Sequence, residues 1–111
     1  MAFPQSSYKT IPASTTTSPT AVYQAPAGFT ALVLMAQVVN KGLSSQDFTL
    51  SLVRNSVSTN LRFEQPVASK AVLNVLGGSA GSLVLESGDS LRISGSSTDL
   101  VFTLSLVETP K

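Results

Sequence analysis

From Thr20 onward the chain is a succession of short runs in which apolar and polar residues alternate, broken by turn-forming residues about every 8 to 12 positions. Alternation with period two sends successive side chains to opposite faces of a strand, so each run predicts a strand with one face toward a core. In Val57–Glu64, Val57, Leu61 and Phe63 share one face while Ser58, Asn60, Arg62 and Glu64 share the other. Leu91 and Ile93 oppose Arg92 and Ser94, and Leu100, Phe102, Leu104 and Leu106 oppose Thr103 and Ser105. Ala25–Gly28, Gly77–Gly81, Ser87–Asp89 and Gly95–Asp99 supply the intervening turns. The pattern predicts an all-β, antiparallel β-sandwich of about eight strands, jelly-roll-like or immunoglobulin-like, over residues 20–111.

Residues 1–19 read differently. Pro4, Pro12 and Pro19 stand among many Ser and Thr residues and interrupt a backbone ladder repeatedly, which predicts an extended N-terminal arm. Phe3, Tyr8 and Ile11 are spaced along it as apolar anchors on a polar strap; a frayed terminus is the alternative. Residues 67–76 fit helical spacing at Ala68, Ala71, Val72 and Val75, but the Val-rich run favours strand or loop. One hexapeptide recurs, Phe48-Thr-Leu-Ser-Leu-Val53 and Phe102-Thr-Leu-Ser-Leu-Val107, as two equivalent strands of a sandwich or a coincidence of composition would produce.

The run Thr30–Val39 breaks the alternation, because Leu32, Leu34, Ala36 and Val38 on one face are matched by Ala31, Val33, Met35 and Val39 on the other. A two-layer sandwich hides one face of each sheet and exposes the other, so the second stripe calls for a cover. The arm folding back, a neighbouring subunit, or an outer face simply left apolar each satisfy the pattern. Phe3, Tyr8, Ile11, Val33, Met35 and Val39 are therefore the candidate contact residues.

Composition narrows the chemistry. Charged residues are 12% of the 111, against about 25% in an average domain, so the polar surface is largely hydroxyl. The seven basic residues are scattered singly and the net charge is +1; no patch is dense enough for direct nucleic-acid binding. There is no cysteine and no histidine, which removes disulfides, thiolate and imidazole metal ligation, and the Ser-His relay. The close carboxylate pair Glu86-Ser-Gly-Asp89 reads as a hairpin turn rather than a calcium loop, and Gly77–Gly81 lacks the Lys of a phosphate-binding loop. No catalytic, cofactor-binding or metal-binding residues are expected, and an enzyme is not. The start of the chain does not read as a secretory signal, and Phe29–Val39 is short of the roughly 20 apolar residues of a membrane-spanning helix.

Four stretches carry a resemblance: Tyr23-Gln-Ala-Pro-Ala-Gly-Phe-Thr-Ala-Leu-Val33, Asp47-Phe-Thr-Leu-Ser-Leu-Val-Arg54, Leu83-Val-Leu-Glu-Ser-Gly-Asp-Ser-Leu-Arg-Ile-Ser94 and Leu104-Ser-Leu-Val-Glu108. Over residues 20–108 the chain resembles the small β-sandwich virion proteins of tailed bacteriophages. The resemblance implies a capsid decoration (cement) protein on the virion surface, made in the host cytoplasm. Its implied partners are the major capsid protein or other virion proteins, and its implied state a homo-oligomer, with a trimer favoured. A tail, neck or fibre component is the alternative within that family. A carbohydrate-binding module is a rival from another class; it needs exposed aromatics, and Tyr23 is the tyrosine available outside the arm.

Overall fold

The computed structural model describes residues 6–76 and 83–110. They form β1 (Ser7–Ser14), β2 (Thr20–Gln24), β3 (Phe29–Asn40), β4 (Gln46–Arg54), β5 (Val57–Val67), β6 (Val72–Leu76), β7 (Leu83–Leu85), β8 (Ser90–Gly95) and β9 (Leu100–Pro110). No helix occurs among the described residues. Sheet A runs β1-β9-β3-β6, with β7 also paired to β3, and sheet B runs β2-β8-β4-β5. Every pairing is antiparallel, and the sheets pack as the sandwich that the alternation predicts.

The core follows from the same alternation on β8 and β9, but not on β5, where bulges break the register and leave Val57 and Phe63, expected on the core face with Leu61, exposed. On β9, Leu100, Phe102, Leu104 and Leu106 are fully buried while the residues between them are half-exposed. On β8, Leu91 and Ile93 are buried and Arg92 is exposed. The repeated hexapeptide occupies interior strands of opposite sheets, β4 and β9, and its leading residues meet: the Phe48 and Phe102 rings stack with centroids 5.7 Å apart. An offset aromatic pair contributes about 0.5–1.5 kcal/mol beyond the area it buries.

Residues 7–14, expected to belong to a separate arm, are the edge strand of sheet A. All eight residues of β1 pair with β9, from Ser7 opposite Glu108 to Ser14 opposite Val101. In the same register Thr15 N–H donates to the Leu100 carbonyl at 3.0 Å, so the odd-numbered residues bond to β9. The nitrogen of Pro12 then lies on the free edge, where a missing N–H breaks no hydrogen bond. Proline, read as a ladder breaker, is tolerated because this strand has one partner. Phe3 lies outside the described residues, as does the Gly77–Gly81 segment expected to be a loop.

Residues 67–76 form the end of β5, a turn closed by Ala71 N–H to the Ala68 carbonyl at 3.0 Å, and β6. The β4–β5 hairpin turns on Asn55 and Ser56, with φ of 53° and 64°. This is the left-handed pair of a two-residue hairpin loop, formed without glycine.

Candidate interaction surface

Strand β3 decides which residues face outward. Ala31 and Val33 are buried and Leu32 and Leu34 exposed; then the phase slips, and Ala36, Val38 and Asn40 are the buried ones. The slip is a β-bulge: Val33 pairs with Leu106 and Met35 with the next residue, Ser105, leaving Leu34 unpaired between them. An extra residue in one strand turns the following side chains to the opposite face. The uniform alternation expected for Thr30–Val39 therefore fails at its middle. The outward set is Leu32, Leu34, Met35, Gln37 and Val39.

Register carries this face across the sheet. Tyr8 pairs with Val107, Val107 with Leu32, and Leu32 with Val84, which makes one apolar row over all four strand positions. Toward the other end, Val101 pairs with Val39, and Val39 with Val72. Between these rows lie Thr10, Ser105, Met35, Pro12, Thr103, Gln37 and Asn74, with the bulged Leu34 beside Met35. Thr10 and Ser105 share a hydrogen bond at 3.2 Å. No Asp, Glu, Lys or Arg stands at an outward position of sheet A among the described residues. Tyr8, Val84 and Val72 are 77%, 55% and 57% exposed, so the rows are open to solvent at both edges of the sheet.

The candidate contacts separate accordingly. Tyr8, Met35 and Val39 stand on this face. Val33 does not: it is fully buried against Leu106, because it precedes the bulge and keeps the inward phase. Ile11 likewise points inward, opposite Leu104, and packs against the core. Leu32, Leu34, Val84, Val101 and Val107 belong to the face and were not among the expected contacts. The bulge that selects them has no glycine or proline to mark it.

The buried ionisable groups are occupied by the fold. Glu108, on the inner side of β9 and 5% exposed, accepts a 2.5 Å hydrogen bond from the Tyr23 hydroxyl and is paired with Lys9 Nζ at 3.0 Å. The tyrosine hydrogen bond, joined by the lysine, holds the Glu108 carboxyl below the ordinary range, and burial beside that carboxylate raises the Tyr23 hydroxyl. Tyr23 is 8% exposed. It ties sheet B to sheet A and offers no stacking platform to a sugar.

Asp89 is equally engaged. It is 3% exposed and takes Arg54 through Nε at 2.9 Å and Nη2 at 2.6 Å, and it accepts the Glu86 amide at 2.9 Å. Arg54 holds the Asp89 carboxyl below its usual value. Glu86 adds a contact to Arg54 Nη1 at 3.4 Å. Glu86–Asp89 is a turn closed by Asp89 N–H to the Glu86 carbonyl at 2.9 Å, with Gly88 at φ 88°. It docks on the other turn of the resemblance, Ala25–Gly28: Ala25 and Asp89 bond N–H to carbonyl at 2.9 Å, as do Gly88 and Ala25.

Among the described residues no buried polar side-chain atom lacks a partner, and no three acidic side chains gather to hold a metal ion. No protein-family model and no curated protein matches the chain. The outer face of sheet A stands as the candidate site on its own geometry. Among the described residues it carries no ionisable group apart from the Tyr8 phenol, so what it can do chemically is exclude water against another apolar, hydroxyl-bearing surface.

Proposed function

We propose that this chain is a non-enzymatic structural subunit of a bacteriophage virion, a decoration protein that binds the assembled head and stabilises it. The observation that carries the reading is the outer face of sheet A, where one apolar row crosses the whole sheet and a second spans three of its four strand positions, with no charged side chain among the described residues to keep them wetted. Charge depletion with aliphatic and aromatic side chains is the composition of an interface core. The engagement of Asp89 with Arg54 and of Glu108 with Tyr23 and Lys9 supports a binding role over a catalytic one. The two turns quoted in the resemblance support it further, since they bond to each other and so form one structural unit.

The sandwich itself is read as a jelly roll. Strands β1 and β9, β2 and β8, β3 and β6, and β4 and β5 pair as one long hairpin rolled over on itself would pair them. Strands β6 and β7 both lie against β3 on the side away from β9, and count as one interrupted strand. An immunoglobulin-like arrangement does not place first and last strands side by side within a sheet of this order.

Decoration works by mass action. A subunit that binds the assembled shell and not its separated parts stabilises the shell by an amount set by its concentration over its dissociation constant. Electron microscopy of purified particles tests the assignment. Density for the sandwich in many copies over the head is expected. Density confined to a few copies at the neck or tail would move the protein to the alternative role, and its absence from particles would end the reading.

A further inference from the structure

We infer that the outer face of sheet A closes on the same face of a second copy of this chain, giving a two-fold pair in place of the trimer that the resemblance implies. The inference deepens the binding role proposed above by naming the partner at this face. Its first ground is charge. A partner that brought a charged side chain here would bury it without a counter-ion, because the described residues present none at an outward position of sheet A. Among the described residues, the other broad face does carry charges: Arg92, Asp47 and Glu64 stand on or beside the outer side of sheet B. A second sheet A is the uncharged surface that the chain itself supplies.

The second ground is the arrangement of rows. The row Tyr8, Val107, Leu32, Val84 and the row Val101, Val39, Val72 lie on either side of a strip that is hydroxyl and amide apart from Pro12 and, on β3, Leu34 and Met35. A two-fold axis in the plane of contact, running across the strands, lays the first row of one copy on the second row of the other. An axis along the strands lays each row on itself. In both cases the apolar rows meet apolar rows over most of their length, Ser14 at the β1 end of the second row apart, and the largely polar strip meets itself, which is the self-complementarity an isologous interface requires.

The third ground is area. Four strand positions at about 4.8 Å and strands of about 30 Å give a footprint of roughly 600 Å². The side-chain relief makes the accessible area larger than that projection, which brings it near the roughly 800 Å² per partner of a specific interface. Packed sheets with strands inclined by about 30° are the ordinary form of such a contact.

Sedimentation equilibrium of the purified chain tests this, with Leu32→Glu and Val84→Lys on the face and Phe63→Glu, an exposed residue of β5 in sheet B, as control. The wild-type chain and Phe63→Glu are expected at twice the 11.5 kDa chain mass, with both sheet A variants at the single mass and unchanged β-sheet circular dichroism. A wild-type monomer or trimer, or a pair that survives both sheet A substitutions, would overturn the inference. Binding of the same proteins to purified shells separates this from the wider role. A wild-type monomer that binds shells removes the pair and keeps the decoration reading, whereas a pair that binds no particle does the reverse.

Discussion

On the outer side of sheet A the cross-strand row reads Tyr8, Val107, Leu32, Val84; on the outer side of sheet B the corresponding row reads Ala21, Arg92, Ser51, Asn60. Both rows are carried by strands whose inner sides are the same Leu, Phe and Val core. The sheet B row keeps polar contacts within itself, such as Ser51 Oγ to Asn60 Oδ1 at 2.9 Å, and its Arg92 is left to water. The sheet A row has apolar side chains at every position. The inner faces are alike because both must fill one core, so the difference between the outer faces reports what lies beyond the molecule. On the function proposed above, solvent finishes the one and protein the other, although sheet B too leaves Val57 and Phe63 exposed on β5.

The comparison is broken most severely by moving inward from the face by one residue. Val33→Asp places a charge with no partner in the core beside Leu106, at a cost of several kcal/mol, and the purified chain is expected not to fold. Its neighbour Leu32→Ser changes the stability of the diluted chain by no more than about 0.5 kcal/mol. Circular dichroism and urea unfolding of the two variants measure the contrast, with a cooperative transition expected for Leu32→Ser alone, and like behaviour of the two would mean that the phase assigned to β3 is wrong. Next comes the contact that joins the sheets: Phe102→Ala removes the stack on Phe48 and is expected to lower stability by about 3–5 kcal/mol in the same assay.

That contrast also marks what the sequence makes legible. The alternation of β8 and β9 is strict, so their buried and exposed sides can be read directly from the residues. On β3 the period of two holds on either side of Leu34 and fails across it, and a bulge made of Val, Leu and Met has no compositional mark. The inward phase of Val33 and the outward phase of Leu32 were therefore hidden, although the excess of apolar residues that needs a cover was visible. Pro12 misled for a different reason, since a proline excludes a strand from the interior of a sheet and not from its edge. The Asn55–Ser56 turn was hidden because neither residue is glycine.

A smaller effect distinguishes the ends of the two sheets under acid. Glu108→Ala strips the Tyr23 hydroxyl of its acceptor and is expected to cost about 1–3 kcal/mol at neutral pH. The Glu108 and Asp89 carboxyls are both held below their unfolded values of about 4, so their contribution is complete above that pH. It is lost as pH falls through their folded-state values. The thermal midpoint should be level from neutrality to about pH 5 and fall below about pH 4, and Glu108→Gln with Asp89→Asn should flatten that fall. A midpoint that instead drops on raising the pH toward 7 would contradict the assigned pairs.

The smallest expected change is a gain confined to sheet B. Ser56→Gly relieves a left-handed residue in the β4–β5 turn and should raise stability by up to about 1 kcal/mol, with the mass of the assembly unaltered. A loss of stability would show that the turn is not of the assigned kind.

The claim beneath these contrasts, that protein covers sheet A and water covers sheet B, is tested most directly by thiol accessibility. The chain has no native cysteine, so Leu32→Cys and Arg92→Cys each introduce one reporter. The account predicts that maleimide labels Arg92→Cys at the rate of a free thiol at every protein concentration, while Leu32→Cys is slowed in the concentrated protein and recovers on dilution. Equal, concentration-independent labelling of the two, in the purified chain and on any particle that carries it, would contradict it.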